Sequence, residues 1–175
     1  MLKPGDAGPG WDLPCVFDGR ISRLRLDRIR SEMVVVFFYP HDFSFICPTE
    51  VTGFNRAQPA FKQEQTSIVG VSVDEAEVHL RWSQELGGLS YPLIADEEGI
   101  LARQYDVLDE HEKVALRATF VLDAKRTVAY SLASSINVGR SVSETLRVVK
   151  ALRSGHLCPA DWQPGGDFGP ADTKS

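Results

Sequence analysis

The amino-acid sequence predicts an α/β fold, a three-layer sandwich in which helices cover a mixed β-sheet. In the first half of the chain two apolar, β-branched runs, residues 34–39 and 67–73, are each followed by a segment with helical periodicity. That alternation is typical of parallel strands connected by helices. In the second half, the apolar runs 118–122 and 128–132 are joined by a short turn and predict an antiparallel strand pair. The sheet is therefore expected to be mixed.

The composition indicates one ordinary globular domain. A length of 175 residues fits a single domain over residues 1–175, with a core at about 11–155 and a C-terminal arm at 156–175. A formal net charge of −5 gives no positive field for a polyanion, so we expect no nucleic-acid partner. The densest apolar run, residues 33–39, is too short to span a bilayer, and the N-terminus has no apolar signal segment. We expect a cytoplasmic protein without a membrane partner.

The chain begins with a hairpin and a central strand. Asp18-Gly19 stands between apolar residues and predicts a tight turn between two antiparallel strands. The strand at 34–39 is expected to be central and to stop at Pro40, which has no N–H for a strand ladder. The remaining elements follow from periodicity and capping signals. They are a strand at 67–73, a helix at 75–86 capped by Asp74, a short strand at 91–95, a short helix at 98–104, and a last helix at 141–154 closed by Gly155.

A helix is predicted to start where the segment after the central strand reaches Cys47. Pro48 suits the first helical position and Glu50 favours the first turn, so Cys47 lies at or beside the N-cap. Pro59 should kink or end this helix. A thiol reacts as its thiolate, and a helix N-terminus stabilises an anion, so Cys47 is a candidate nucleophile. The alternative is that Cys47 is a small buried apolar residue.

The cysteine and histidine patterns argue against a structural disulfide framework and against a metal site. Three cysteines without a C-x-x-C pair fit neither a disulfide framework nor a closed zinc site, and four scattered histidines form no metal motif.

Pro40 and Ser44 precede Cys47 at spacings that bring a rigid loop, a hydroxyl donor and a thiolate to one small pocket. Such a pocket suits a peroxide, because one peroxide oxygen needs a nucleophile and the other needs a donor.

The stretch FFYPHDFSFICPTE, residues 37–50, resembles the peroxidatic signature of the typical two-cysteine peroxiredoxins, the family of the alkyl hydroperoxide reductase C-subunit and the thiol-specific antioxidant proteins. Ser44 stands where threonine is commoner in that family. The resemblance covers about residues 15–165 and implies a thioredoxin-like α/β sandwich with a C-terminal arm. Further blocks agree in order along the chain: Gly87-Gly88-Leu89, residues 91–96, residues 117–123, residues 138–141, residues 144–147 and residues 156–162.

The resemblance also implies roles for the site residues. Cys47 is the peroxidatic cysteine, which peroxide converts to a sulfenic acid. Cys158, in the C-terminal arm, is the resolving cysteine, which attacks the sulfenic acid of the partner subunit and forms an intersubunit disulfide. The other implied residues surround the Cys47 sulfur: Pro40, which shields it, Ser44, which hydrogen-bonds the peroxide, Arg117, which stabilises the thiolate and the leaving oxygen, and the supporting pair Glu50 and Arg140.

The implied reaction is the reduction of hydrogen peroxide and organic hydroperoxides by a peroxidase without a cofactor. The implied partners are a second copy of the chain, in a homodimer and often a ring of five dimers, and a reductase that is thioredoxin-like or a flavoprotein. The sequence does not choose between these reductases. The alternative function is a redox-switched, chaperone-like assembly protein. The alternative for Arg117 is a plain surface ion-pair partner, and that for Glu50 and Arg140 is a structural salt bridge. Cys15 matches no catalytic position and is expected to be a structural apolar residue.

Overall fold

A mixed β-sheet forms the centre of the structure, a computed structural model that describes residues 1–171. The strands of these residues are β1 (Asp12–Phe17), β2 (Arg20–Arg25), β3 (Met33–Phe38), β4 (Thr66–Ser72), β5 (Leu93–Ala95), β6 (Leu108–Asp109), β7 (Val114–Ala115), β8 (Arg117–Leu122) and β9 (Val128–Ser134). The main sheet has the order β2-β1-β5-β4-β3-β8-β9, and β6 and β7 pair separately.

The pairing directions make the sheet mixed, as predicted. β3 pairs in parallel with β4, and β4 with β5, whereas β8 is antiparallel to both β3 and β9. The hairpin of β1 and β2 joins β5 in the antiparallel direction. Its turn is Asp18-Gly19, whose φ angles of 53° and 70° are those of a tight hairpin turn. The expected α/β class and both expected hairpins are confirmed.

The strand β3 lies between β4 and β8 and is buried on both faces, which explains why residues 34–38 form an unbroken apolar run. Val36 and Phe38 belong to one core cluster, whereas Val35 and Phe37 belong to another. The two clusters lie on opposite faces of the sheet, because successive side chains of a strand point to opposite sides.

Helices cover both faces and complete the predicted three layers. Phe54, Trp82 and Val149, from three different helices, are buried in the cluster of Val35, whereas Leu101, from the short remaining helix, is buried in the opposite cluster. No helix within residues 1–171 is both long and apolar enough to cross a membrane. The helices are α1 (Cys47–Gln63), α2 (Ala76–Glu85), α3 (Ile100–Gln104) and α4 (Val142–Ser154).

The prediction that Pro59 kinks or ends its helix is corrected in one respect, because α1 continues past Pro59 to Gln63. A proline inside a helix removes one backbone hydrogen bond. Phe54 and Phe61 lie on either side of Pro59 and are fully buried against the sheet. The burial of these two rings outweighs the missing hydrogen bond.

The predicted Asp74 cap is wrong, because the N-cap residue of α2 is Glu75 and no side chain caps this helix. The Asp74 carboxylate instead accepts hydrogen bonds from the Ser72 hydroxyl and from the backbone N–H of Asp42. At the other end of the chain the predicted closing residue is confirmed, since Gly155 is the C-cap of α4 and has a left-handed φ of 67°. A long-range contact has thus replaced a local one at Asp74.

The C-terminal arm, predicted at 156–175, is described as far as residue 171 and folds against α4. Arg147 of α4 donates a hydrogen bond to the Trp162 carbonyl at 2.9 Å. The Trp162 ring stacks on Phe168 with ring centroids 5.5 Å apart. Residues 172–175 of the predicted arm lie outside the described residues.

The close packing at Gly70 of β4 yields a stability prediction. A Cβ at this position would come within 2.8 Å of both the Leu93 and the Phe37 side chains. We expect Gly70→Ala to lower the free energy of unfolding by about 2 kcal/mol, because buried overpacking forces neighbours to shift. Urea denaturation measures the change.

Gly10→Ala is the matched control for this prediction. A Cβ at Gly10 would meet no atom within 4 Å, so we expect a change of less than about 1 kcal/mol. Equal effects of the two substitutions would contradict the packing argument.

Candidate active site

The candidate site lies where the chain passes from the end of β3 to the start of α1. β3 ends at Phe38, and Cys47 is the first residue of α1, directly after the N-cap residue Ile46. Pro48 follows at the start of the helix, where its missing N–H costs no helical hydrogen bond. The predicted position of Cys47 at a helix start therefore agrees with the structure. The Cys47 side chain is fully buried and its thiol is free.

Arg117 contacts the Cys47 sulfur. It is the first residue of β8, and β8 pairs with β3 so that Phe38 lies opposite Ala118. Arg117 Nη1 is 3.2 Å from Cys47 Sγ and 3.0 Å from Glu50 Oε2. Its Nε donates to the Ile136 carbonyl at 2.7 Å, which fixes the plane of the guanidinium group. A guanidinium N–H at this distance can stabilise negative charge on a sulfur atom.

Arg140 holds the other side of the Glu50 carboxylate. Its Nε and backbone N donate to Glu50 Oε1 at 3.1 Å and 2.9 Å. Its Nη1 donates to the Ala118 carbonyl at 2.8 Å and its Nη2 to the Phe38 carbonyl at 2.5 Å. The guanidinium carbon also lies 5.2 Å from the centre of the Phe37 ring. Burial lowers the pKa of Arg140, and the neighbouring Glu50 carboxylate opposes that shift.

The charges of this cluster favour an anion at Cys47. The side chains of Arg117, Arg140 and Glu50 are all buried, with exposed fractions of 4%, 2% and 1%. Two guanidinium groups and one carboxylate leave a single positive charge in a water-poor site. A thiolate on Cys47 would neutralise it, and buried charges are tolerated chiefly when they are paired. The arrangement can therefore hold a thiolate ready to attack an electrophile.

Ser44 and Pro40 lie in the loop that leads to Cys47. Ser44 Oγ accepts a hydrogen bond from the Cys47 backbone N–H at 3.2 Å. Because this bond uses an oxygen lone pair, the hydroxyl hydrogen stays available for a donor role. Pro40 is buried at the beginning of the loop. Five of the predicted site residues thus gather around the start of α1, and Pro40 stands at the entrance of the same loop.

Cys158 lies outside this cluster. It is partly exposed, and its Sγ is 3.6 Å from Ser154 Oγ, beside the end of α4 and in a surface cavity of about 470 Å³. Cys15 is buried in β1, with its Sγ 3.4 Å from Ser22 Oγ. Burial raises the pKa of the Cys15 thiol, and the Ser22 hydrogen bond opposes that shift. The position of Cys15 fits the expected structural role.

One polar pair beside the site was not predicted from the sequence. Asp42, within the loop between Pro40 and Ser44, is buried and contacts the equally buried His79 of α2. Two sequence signals could have found this pair. An acidic residue lies between the aromatic residues Tyr39 and Phe43, and a histidine lies three residues before Trp82 on the buried face of a helix.

Comparisons with known proteins find relatives in sequence and in overall structure. The profile of the AhpC/TSA family matches residues 4–131. The chain is 36% identical to Peroxiredoxin-1 of Gekko japonicus, over 93% of this chain and 87% of that protein. The reduced 2-Cys peroxiredoxin of Plasmodium vivax has a similar structure, with a TM-score of 0.89 and 30% identity, covering 96% of this chain and 93% of that one. AhpC of Mycobacterium tuberculosis gives 0.85 and 31%, covering 93% and 99%.

The buried charge cluster yields a second stability prediction. We expect Glu50→Gln to lower the free energy of unfolding by about 3 kcal/mol, because it leaves two buried guanidinium groups facing a neutral amide. Urea denaturation of the reduced protein measures this change.

Glu110→Gln is the control, since Glu110 also pairs with two basic residues, Arg103 and Lys113, but is exposed. Exposed ion pairs contribute little, so the control should unfold almost as the parent does. A Glu50→Gln variant as stable as the control would show that the buried ion pairs do not stabilise the fold.

Proposed function

The chain belongs to the AhpC/TSA family of peroxiredoxins and is a peroxidase, and from this premise we propose that Cys47 is the thiol that reduces hydroperoxides. The observation that carries the proposal is the 3.2 Å contact between Arg117 Nη1 and Cys47 Sγ within a buried cluster that needs one more negative charge. Hydrogen peroxide and organic hydroperoxides are the proposed substrates.

The proposed first step is a displacement at oxygen. The Cys47 thiolate attacks the terminal oxygen of the hydroperoxide, so that an S–O bond forms while the O–O bond breaks. Cys47 becomes a sulfenic acid, and the second oxygen leaves as hydroxide or alkoxide, which water protonates. Arg117 is placed to stabilise the anionic charge as it moves from sulfur to the leaving oxygen.

Ser44 and Pro40 have supporting roles in this proposal. The Ser44 hydroxyl accepts from the Cys47 N–H and keeps its hydrogen for a peroxide oxygen. Pro40 forms a rigid, apolar part of the loop and shields the thiol from water. Glu50 and Arg140 act through Arg117, because the Glu50 carboxylate bonds both guanidinium groups. They are therefore positioning residues.

The proposed second step is a disulfide with a partner subunit. The Cys158 thiolate attacks the sulfur of the Cys47 sulfenic acid, so that an S–S bond forms and hydroxide leaves. A disulfide requires the two Cα atoms within about 7 Å. Cys158 has Ser154 and Ala151 as neighbours in its own chain and not Cys47, which supports resolution across a homodimer. A thioredoxin-like protein or a flavoprotein then reduces the disulfide.

The assembly and the compartment belong to the same proposal. A ring of five such dimers is the proposed larger assembly, and the cytoplasm is the proposed location. The matched relatives also include chloroplastic 2-Cys peroxiredoxins. No observation favours the alternative of a chaperone-like assembly protein, so we do not propose it.

Non-reducing gel electrophoresis tests the two cysteine roles. After a stoichiometric amount of hydrogen peroxide, we expect the parent to run as a disulfide-linked dimer. Cys47→Ser and Cys158→Ser should each abolish that band, because each removes one of the two sulfurs of the bond.

Cys15→Ser is the control and should keep the dimer band, because Cys15 is buried away from both sulfurs. A dimer band that persists in Cys158→Ser would refute the assignment of Cys158. A band that persists in Cys47→Ser would refute the whole scheme.

The role of the Ser44 hydroxyl is tested by the rate of Cys47 oxidation in a stopped-flow experiment. We expect Ser44→Ala to slow oxidation by hydrogen peroxide about a hundredfold, the usual effect of losing one donor to a developing anion. Ser44→Thr keeps the hydroxyl and should retain most of the rate.

The unfolding free energy is measured alongside, because Ser44→Ala also leaves the Cys47 N–H without its acceptor. An unchanged oxidation rate in Ser44→Ala would show that this hydroxyl does not act on peroxide.

A further inference from the structure

In the loop of residues 40–46, the buried carboxylate of Asp42 makes polar contacts that anchor the loop to the rest of the protein. Its Oδ1 accepts a hydrogen bond from Tyr39 Oη at 2.8 Å, and its Oδ2 lies 2.6 Å from His79 Nδ1. The side chains of Asp42 and His79 are both fully buried. His79 Nε2 is 3.0 Å from the Ile94 carbonyl. Since a carbonyl can only accept, Nε2 carries a proton, and His79 links the loop to β5.

The backbone of the loop is held at the same point. The Asp42 N–H donates to Asp74 Oδ2 at 2.8 Å, and Ser72 Oγ donates to the same oxygen at 2.6 Å. The next residue, Phe43, has a φ of 55°, which a non-glycine residue rarely adopts unless its surroundings impose it. Loss of the Asp42 contacts would therefore let the loop relax away from this conformation.

The two steps of the proposed cycle require different conformations of this loop. The Cys47 side chain is fully buried, and a small peroxide reacts with it in the folded arrangement of Ser44 and Arg117. Formation of a disulfide brings two sulfurs into covalent contact, and a fully buried Cys47 side chain does not allow a second sulfur to approach. The loop must therefore be folded for the first step and open for the second.

We propose that Asp42, with its partners Tyr39 and His79, sets how often this loop opens and thereby decides the fate of oxidised Cys47. In the open state Cys158 captures the sulfenic acid as a disulfide. In the folded state a second hydroperoxide oxidises it to sulfinic acid: a second S–O bond forms, the O–O bond breaks, and the other peroxide oxygen leaves as water or an alcohol. These three residues are positioning residues, and the inference rests on the proposed function.

A weaker Asp42 anchor is expected to affect the first oxidation of Cys47 and the later fate of its sulfenic acid differently. If the loop is mostly folded, a weaker anchor raises the small open fraction several-fold while the folded fraction stays close to one. The rate constant for the first oxidation then changes little, whereas the ratio of disulfide to sulfinic acid rises strongly. A residue needed only for the chemistry would show the reverse pattern.

The main variant is Tyr39→Phe, which removes one hydroxyl and keeps the ring that packs between Phe37 and Trp82. We expect the peroxide concentration that converts half of Cys47 to sulfinic acid, measured by mass spectrometry, to rise about fivefold, the effect of one net hydrogen bond. The rate constant of the first oxidation should stay within about twofold of the parent. Hydrogen exchange of the amides in the loop should quicken by a similar factor.

Two substitutions at Asp42 extend the test. Asp42→Ala removes both side-chain bonds and should shift the competition further than Tyr39→Phe. Asp42→Asn should restore nearly parental behaviour, because its oxygen can accept from Tyr39 while its amide donates to His79 Nδ1. Tyr39→Phe keeps the inference testable if Asp42→Ala fails to fold.

Tyr105→Phe is the matched control. Tyr105 Oη donates to the Pro9 carbonyl at 3.3 Å, and Tyr105 is buried in the cluster on the opposite face of the sheet. We expect loss of the Tyr105 hydroxyl to leave two quantities unchanged, even if the protein becomes less stable. They are the sulfinic-acid threshold, which is the peroxide concentration that converts half of Cys47 to sulfinic acid, and the hydrogen-exchange rate of the loop amides.

The outcomes separate this inference from the proposed function. A parent that forms no disulfide between Cys47 and Cys158 overturns both. If the parent cycles but Tyr39→Phe and Asp42→Ala leave the sulfinic-acid threshold and the loop exchange at parental values, the inference alone is overturned. A shift of equal size in Tyr105→Phe also overturns it, because general stability would then explain the effect.

Discussion

The carboxylate of Glu50 is the interaction on which the site depends. It accepts hydrogen bonds from the guanidinium groups of both Arg117 and Arg140, and all three side chains are buried. Without it, two positive charges would face each other away from water, at a cost of several kcal/mol. Because Glu50 lies in the first turn of α1, the same bonds hold that turn, and with it Cys47, against β8 and the segment before α4.

The register of the sheet brings these charges to one edge. β3 and β8 are antiparallel neighbours, so the end of one strand meets the beginning of the other, with Phe38 opposite Ala118. Arg140 donates to the carbonyls of both residues while it bonds Glu50. Its guanidinium group therefore both joins the two strand ends and pairs with the buried carboxylate. A change that disturbs the strand ends would also disturb the environment of the thiol.

Local signals predicted most of the elements, and they failed where distant contacts competed with them. The Asp18-Gly19 turn and the Gly155 helix end depend on neighbours within a few residues, and both are present. Asp74 has the chemistry of a helix cap, but its carboxylate bonds the N–H of Asp42, 32 residues earlier. Pro59 has the chemistry of a helix end, but buried rings on both sides keep α1 intact. Neither competing contact can be seen in a local window of sequence.

The sequence by itself determined the family and the place of Cys47, because both depend on a contiguous signature that joins a strand to a helix start. The resemblance also named Arg117 and Arg140. Only the tertiary structure decided that one carboxylate joins both arginines, which lie 67 and 90 residues away along the chain, and that Asp42 meets His79, 37 residues later. The physical reason is that such contacts depend on strand order and register, which no local pattern of residues specifies.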